Sequence, residues 1–196
     1  MHDVSIAVLA GGKSRRMGQN KSFVRLNGKP MIEHIIEQLA SLELPIFVVT
    51  NDLEAYAHYG LPLVPDVVSD RGAMGGIYTA LQWSFTPYVL CAACDMPFLN
   101  PALLRLLIEH RADCDAVVAR LCDVWQVFPG VYSHACLPTL EVSLSTGQFQ
   151  LQSILSTLQI YPLNIDELRI IDPQLQSFIN LNTPDELAHY GQTLIE

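Results

Sequence analysis

Residues 6–10, Ile-Ala-Val-Leu-Ala, form an unbroken apolar run that stops at the paired glycines Gly11 and Gly12. A run of that length bounded by glycine reads as a short buried strand. The chain then turns basic, with Lys13, Arg15, Arg16 and Lys21. Six of the 11 lysines and arginines lie before residue 30, Asp3 is the one acid ahead of them, and no lysine follows Lys29. A chain of net charge -9 thus concentrates its positive field in one loop. Glycines straight after a buried strand let backbone N–H groups approach a ligand, and the cations that follow point to a polyphosphate. A charge run alone is usually a solvated face; the strand and the glycine pair shift the balance toward an anion site.

Two familiar phosphate loops fail here. Gly12-Lys13-Ser14 resembles the end of a Walker A loop, but that pattern requires glycine where Ala7 stands. The glycine spacing of a dinucleotide-binding turn is also absent.

A chain of 196 residues suits one domain with a substantial core. Half of it is hydrophobic and 16% charged, which argues against disorder. The acidic balance argues against sequence-independent nucleic-acid binding, which needs broad phosphate neutralisation. No apolar run approaches a membrane span, and no cleavable leader precedes the first strand; a cytoplasmic location is expected. Five cysteines, an odd number, make a poor disulfide scaffold. Cys91-Ala-Ala-Cys94 has metal-like spacing but no second ligand pair, so buried inert thiols are expected. The six histidines are scattered singly and have no metal spacing.

Downstream, Val24-Arg25-Leu26 with Asn27-Gly28 reads as a small hairpin, and Pro30 as the first residue of a helix through Ile32, Ile35 and Leu39. Ile46–Thr50 and Leu63-Val64 read as strands, the second ending at Pro65-Asp66, with a weakly signalled helix over residues 54–59 between them. Gly72-Ala73-Met74-Gly75-Gly76 precedes a helix through Ile77, Leu81 and Trp83, and a glycine-rich helix opening can present amides to a ligand. Tyr88–Cys94 is the most apolar strand, and it delivers Asp95-Met96-Pro97. A carboxylate at the C-terminal end of a central strand lies where open α/β sheets bind ligands, and beside phosphates it is a natural Mg²⁺ ligand. Asn100 and Pro101 open the next helix. Strands are expected at 115–119, 125–132 and 160–163, and helices at 135–144 and 148–158. Phe178 to Asn182 alternates apolar and polar residues, and Thr183-Pro184-Asp185-Glu186 forms a capping box that opens a final helix to about residue 194. Alternating strands and helices imply an α/β fold with a mainly parallel central sheet flanked by helices.

The signature Leu-Ala-Gly-Gly-x-Ser-x-Arg-Met-Gly-x-x-Lys, from Leu9 to Lys21, closely resembles that of the molybdenum cofactor guanylyltransferases, which join GMP to molybdopterin. Three further stretches resemble the same family in the same order: Asp66 with residues 72–76, Cys94 to Phe98, and Asn180 to Leu187. The resemblance implies a single Rossmann-like nucleotidyltransferase domain over residues 1–196, nucleotide-binding in its N-terminal part and pterin-facing in its C-terminal part. It implies GTP and molybdopterin, with or without molybdenum, as substrates and Mg²⁺ as cofactor. Leu9, Ala10, Gly11 and Gly12 would surround the nucleotide, Lys21 would contact its phosphates, Thr50 and Asn51 would approach the guanine, and Asp66 would help bind it. Asp95 would hold Mg²⁺, Lys21 and Arg16 would stabilise the departing pyrophosphate, and Asn180 and Asn182 would lie toward the pterin. Gly11-Gly12 resembles the guanine-selective members rather than the cytidylyl ones, whereas Gly72 to Gly76 departs from the usual Gly-Pro-Leu-Ala-Gly. Exchange with cofactor-delivering chaperones and molybdoenzymes is implied in the same way. The alternatives are a cytidylyl or sugar-phosphate transferase of the same fold and a non-catalytic GTP- or cofactor-binding protein.

Overall fold

Every residue of β1 (Val4–Leu9) is buried, and alternate side chains serve opposite faces, as the two-residue period of a strand dictates. Val4, Ile6 and Val8 join one core and Ala7 and Leu9 the other. The computed structural model describes residues 2–11, 20–68 and 71–193. In chain order its further elements are β2 (Arg25–Leu26), β3 (Lys29–Pro30), α1 (Met31–Ala40), β4 (Ile46–Val49), α2 (Leu53–Tyr56), β5 (Leu63–Val64), α3 (Gly72–Trp83), β6 (Tyr88–Ala93) and α4 (Pro101–Glu109). They are followed by β7 (Ala116–Leu121), β8 (Val124–Ser133), α5 (Leu137–Thr146), α6 (Leu151–Leu155), β9 (Ile160–Leu163), α7 (Ile165–Ile171) and α8 (Pro184–Thr193).

Seven strands form one sheet in the order β5-β4-β1-β6-β8-β7-β9. β8 runs antiparallel to both neighbours, and every other pairing is parallel. The fold is therefore the expected α/β type with a mainly parallel sheet. Ile32, Ile35 and Leu39 of α1, Leu103, Leu104 and Leu107 of α4 and Leu168 of α7 cover one face. Ile77, Ala80 and Leu81 of α3, Leu140 of α5 and Leu155 of α6 cover the other. With helices on both faces, sheet strands have no polar side, which explains their continuous apolar runs.

A third, small core gathers Leu26, Met31 and Leu181, with Ile179, Phe98, Leu187 and Tyr190 against them. It ties the β2–β3 hairpin and the loop after β6 to the segment before α8. That hairpin turns at Asn27 and Gly28, with φ of 52° and 80°, the paired positive values that favour Asn-Gly in a two-residue turn. Alternation over 178–182 forms no sheet strand: Ile179 and Leu181 point into the third core, and Leu181 N–H donates to the Asp95 carbonyl at 2.9 Å.

Several boundaries differ from expectation. Pro30 pairs with Arg25 in the hairpin and so caps α1 in an extended conformation, rather than opening the helix. The 148–158 helix contracts to Leu151–Leu155, closed by turns onto the Ile154 and Leu155 carbonyls. α7 was not anticipated, although Asn164 and Glu167 form a reciprocal capping box at its start. Gly72 to Gly76 do not precede α3 but form its first turn and a half. Their lack of side chains serves packing. A Cβ on Gly75 would lie 2.7 Å from the Val68 carbonyl oxygen, and one on Gly76 would lie 3.0 Å from a Leu9 methyl.

The two positions differ in what must yield: backbone at Gly75, the end of a flexible side chain at Gly76. Gly75→Ala is expected to cost about 1–3 kcal/mol of stability through overpacking and Gly76→Ala distinctly less, as read by chemical denaturation. Equal losses would refute the backbone-contact argument.

Candidate active site

β1 and β6 run side by side in parallel, Leu9 opposite Ala93. One more ladder bond, Cys94 N–H to the Leu9 carbonyl at 3.1 Å, carries the pairing past the last strand residue. Asp95 therefore stands beside the end of β1, at the carboxyl edge of the sheet where ligands of open α/β sheets collect. Its carboxylate is 3.8 Å from the Lys21 ammonium, with side-chain exposures of 21% and 17%. The same ammonium donates to Asn182 Oδ1. Residues 21, 95 and 182, far apart in the chain, thus meet in one polar cluster. Burial lifts the Asp95 carboxyl above its ordinary value, and the Lys21 charge and a backbone hydrogen bond offset only part of that rise.

Local structure explains each placement. Asn20 caps the 3₁₀ turn Lys21–Phe23, its side-chain oxygen accepting from Ser22 N–H. Asn182 is held from behind by Glu186, whose Oε2 accepts from Asn182 N–H at 2.6 Å and Thr183 N–H at 2.9 Å. Thr183 Oγ1 in turn accepts from Glu186 N–H at 3.2 Å. This is the expected capping box, and it fixes the segment that reaches Lys21. Those two N–H groups hold the Glu186 carboxyl below its usual range. Asn182 Nδ2 donates to the carbonyl of Asn180, whose side chain is exposed. Asn182, expected on the pterin side, stands instead against Lys21, the residue expected to contact phosphates.

A second group lies at the ends of β4 and β5. Asn51 Oδ1 accepts from Asp66 N–H at 2.9 Å. Asp66 Oδ1 accepts from Val68 N–H and from the Thr79 hydroxyl at 2.8 Å. Thr50 is 1% exposed and its hydroxyl accepts from Asp52 N–H, so it shapes the start of the loop from within. Leu9 and Ala10 are buried and Gly11 is exposed, with open space where a Cβ would be. Gly12 and Arg16 lie outside the described residues. Sequence reasoning missed Thr79, a fully buried hydroxyl on the apolar face of α3 that also receives Val67 N–H. A threonine inside an otherwise apolar helix stripe was the available signal, since a buried hydroxyl needs a partner.

Among the described residues no three His, Cys, Asp or Glu side chains converge as a metal-binding group. All five cysteines are free, and burial pushes the Cys136 thiol up to about 12 and that of Cys91 higher still. Among the described residues Asp95 is the one carboxylate paired with the Lys21 ammonium. A single carboxylate plus substrate phosphates is a usual donor set for Mg²⁺, and the partly buried, incompletely neutralised Asp95 fits it. No helix among the described residues is long and apolar enough to cross a membrane.

The family model of the MobA-like NTP transferase domain matches residues 6–161, from β1 to β9. The chain belongs to this family. A molybdenum cofactor guanylyltransferase of Desulfosudis oleivorans is 33% identical over 189 residues, spanning 95% of this chain and 94% of the relative. One from Syntrophotalea carbinolica is 33% identical over 188 residues, spanning 95% and 90%. The crystal structure of molybdopterin-guanine dinucleotide biosynthesis protein A from Archaeoglobus fulgidus superposes with a TM-score of 0.86 at 29% identity, covering 97% of this chain and 98% of that one. Membership of the MobA-like family makes the chain a nucleotidyltransferase.

The electrostatics of the Lys21 cluster are directly measurable. The Asp95 carboxyl is expected to titrate above the ordinary carboxylate range by carbon NMR. Removing the nearby cation in Lys21→Met should raise it further, because Lys21 favours the ionised form. An Asp95 carboxyl that titrates in Lys21→Met as it does in the wild-type chain would dissociate the pair.

Proposed function

We propose that this nucleotidyltransferase moves GMP from GTP to the terminal phosphate of molybdopterin, releasing pyrophosphate and forming the guanine dinucleotide cofactor. The observation that carries the reading is the Lys21–Asp95 pair, whose carboxylate follows the end of β6 where that strand runs beside β1. A cation and a carboxylate paired at the carboxyl edge of the sheet support a reading in which they meet a nucleotide's phosphates. The molybdenum cofactor guanylyltransferases among the relatives supply the acceptor and the base.

A phosphate oxygen of molybdopterin attacks the α-phosphorus of GTP in line. A new P–O bond forms, the bond from the α-phosphorus to the α–β bridging oxygen breaks, and pyrophosphate departs with that electron pair. The nucleophile is already ionised at neutral pH, so no general base is needed. Positioning and charge neutralisation therefore supply the catalysis. Lys21 stabilises charge on the phosphates, and Asn182 holds the ammonium on the acceptor side. Arg16, a rigid fork of donors, suits bidentate contact with the leaving pyrophosphate. Asn51 and Asp66, joined by the hydrogen bond from Asp66 N–H to Asn51 Oδ1, serve the nucleoside, with Thr50 behind them; Leu9, Ala10, Gly11 and Gly12 contribute to the same pocket. Asp95, with substrate phosphate oxygens, would hold Mg²⁺, whose chemistry there is neutralisation of phosphate charge. Asn180, exposed next to Asn182, serves the pterin in this reading.

The test is dinucleotide formation from molybdopterin with GTP or CTP, with and without Mg²⁺. Product with GTP alone, dependent on Mg²⁺, is expected, and product with CTP would overturn the base assignment. Asp95→Ala and Lys21→Ala should each lower kcat at least a hundredfold, on the order of the loss of one electrostatic transition-state contact. Wild-type turnover in either variant would remove that residue from the site.

A further inference from the structure

Tyr56, at the end of α2, is completely buried, yet its hydroxyl does not face another apolar surface. It donates to Ser22 Oγ at 2.6 Å and accepts from Asn20 Nδ2 at 3.2 Å. Ser22 is also fully buried, and its backbone N–H donates to Asn20 Oδ1 at 3.2 Å. A directional chain results, from the Asn20 amide through the Tyr56 hydroxyl to Ser22 Oγ. Two residues of this chain are the immediate neighbours of Lys21: Asn20 precedes it and Ser22 follows it. Ser22 turns toward the buried Tyr56 hydroxyl, while the Lys21 ammonium turns toward Asp95 at 3.8 Å.

We propose, on the nucleotidyl-transfer reading above, that Tyr56 and Ser22 are positioning residues that set the Lys21 ammonium against Asp95 by clamping the turn after the basic loop to the end of α2. Lys21 sits on a three-residue 3₁₀ turn, and such a turn has few hydrogen bonds of its own to resist displacement. Its long side chain carries large rotamer freedom, so the direction in which it leaves the backbone decides where the charge arrives. The buried hydroxyls fix that direction from below. Packing alone would be served by phenylalanine, because the Tyr56 ring already meets Phe23 at a centroid distance of 4.9 Å. A fully satisfied polar chain specifies one arrangement, and misplacing any member leaves a buried donor or acceptor unpaired.

Tyr56→Phe keeps the ring and removes the hydroxyl. It is expected to lower kcat about tenfold, a loss of the size that small misplacement of a positioned group produces, with KM for GTP changed less. Ser22→Ala should behave alike, and Tyr56→Phe/Ser22→Ala should be no worse than the poorer single variant, since both break one chain. The deciding readout is the Lys21→Ala background. If Tyr56 acts through Lys21, adding Tyr56→Phe there produces no further fall in kcat, nor any further weakening of GTP binding measured by calorimetry. An equal loss with and without Lys21 would mean that Tyr56 merely supports the fold, and wild-type kcat in both Tyr56→Phe and Ser22→Ala would overturn the clamp outright. Failure of the wild-type chain to make dinucleotide would overturn the proposed reaction instead. The clamp is then read from GTP dissociation constants in the same chains: weakening by Tyr56→Phe only where Lys21 is present supports it, and any other pattern refutes it.

Discussion

Placing a partly buried ammonium 3.8 Å from a partly buried carboxylate at the edge of a sheet is the arrangement on which most of the surrounding structure depends. Taking two charges out of water costs several kcal/mol per ion in general, and mutual attraction repays this only when geometry is good and further hydrogen bonds are supplied. Here the supply comes from three directions. The β1–β6 ladder extends through Cys94 N–H to bring Asp95 up beside Leu9. The 3₁₀ turn capped by Asn20 carries Lys21 in from the opposite side. The Glu186-capped segment lays Asn182 Oδ1 on the ammonium. The third core, which packs Leu181 on Leu26 and Met31, is what makes the last of these possible. Apolar burial thus anchors both ends of the hydrogen bond that crosses the site.

The sheet was legible because its strands are covered on both faces and so read as continuous apolar runs: residues 6–9 of β1, Ile46–Val49 and Tyr88–Ala93 stand out for that reason. The strand-end carboxylate was legible from the same logic, since a charged residue that closes such a run has to lie at the edge. What escaped was set by tertiary contact. The α3 glycines look like a loop in sequence, but Gly75 and Gly76 belong inside a helix pressed against Val68 and Leu9. Asn164 and Glu167 announce α7 only to a reader who looks for a capping box without a long apolar stripe behind it. The meeting of Lys21 with Asn182 spans 161 residues, a distance at which spacing carries no information. Tyr56 and Thr79 were passed over for a related reason: each is a polar group whose partner lies on another element.

The cluster is also electrostatically unfinished, and that property bears on its chemistry. Desolvation raises the Asp95 carboxyl, Lys21 lowers it, and desolvation wins. A carboxylate in that balance gains more from additional positive charge than an exposed one would, because its ionised form is the one under penalty. One carboxylate and an adjacent cation do not make a self-sufficient metal cage. On the reaction proposed above, the phosphate oxygens of the substrate would supply the remaining ligands, so that a metal would bind tightly only together with the nucleotide. That division would link electrostatic completion of the site to arrival of the molecule that reacts there.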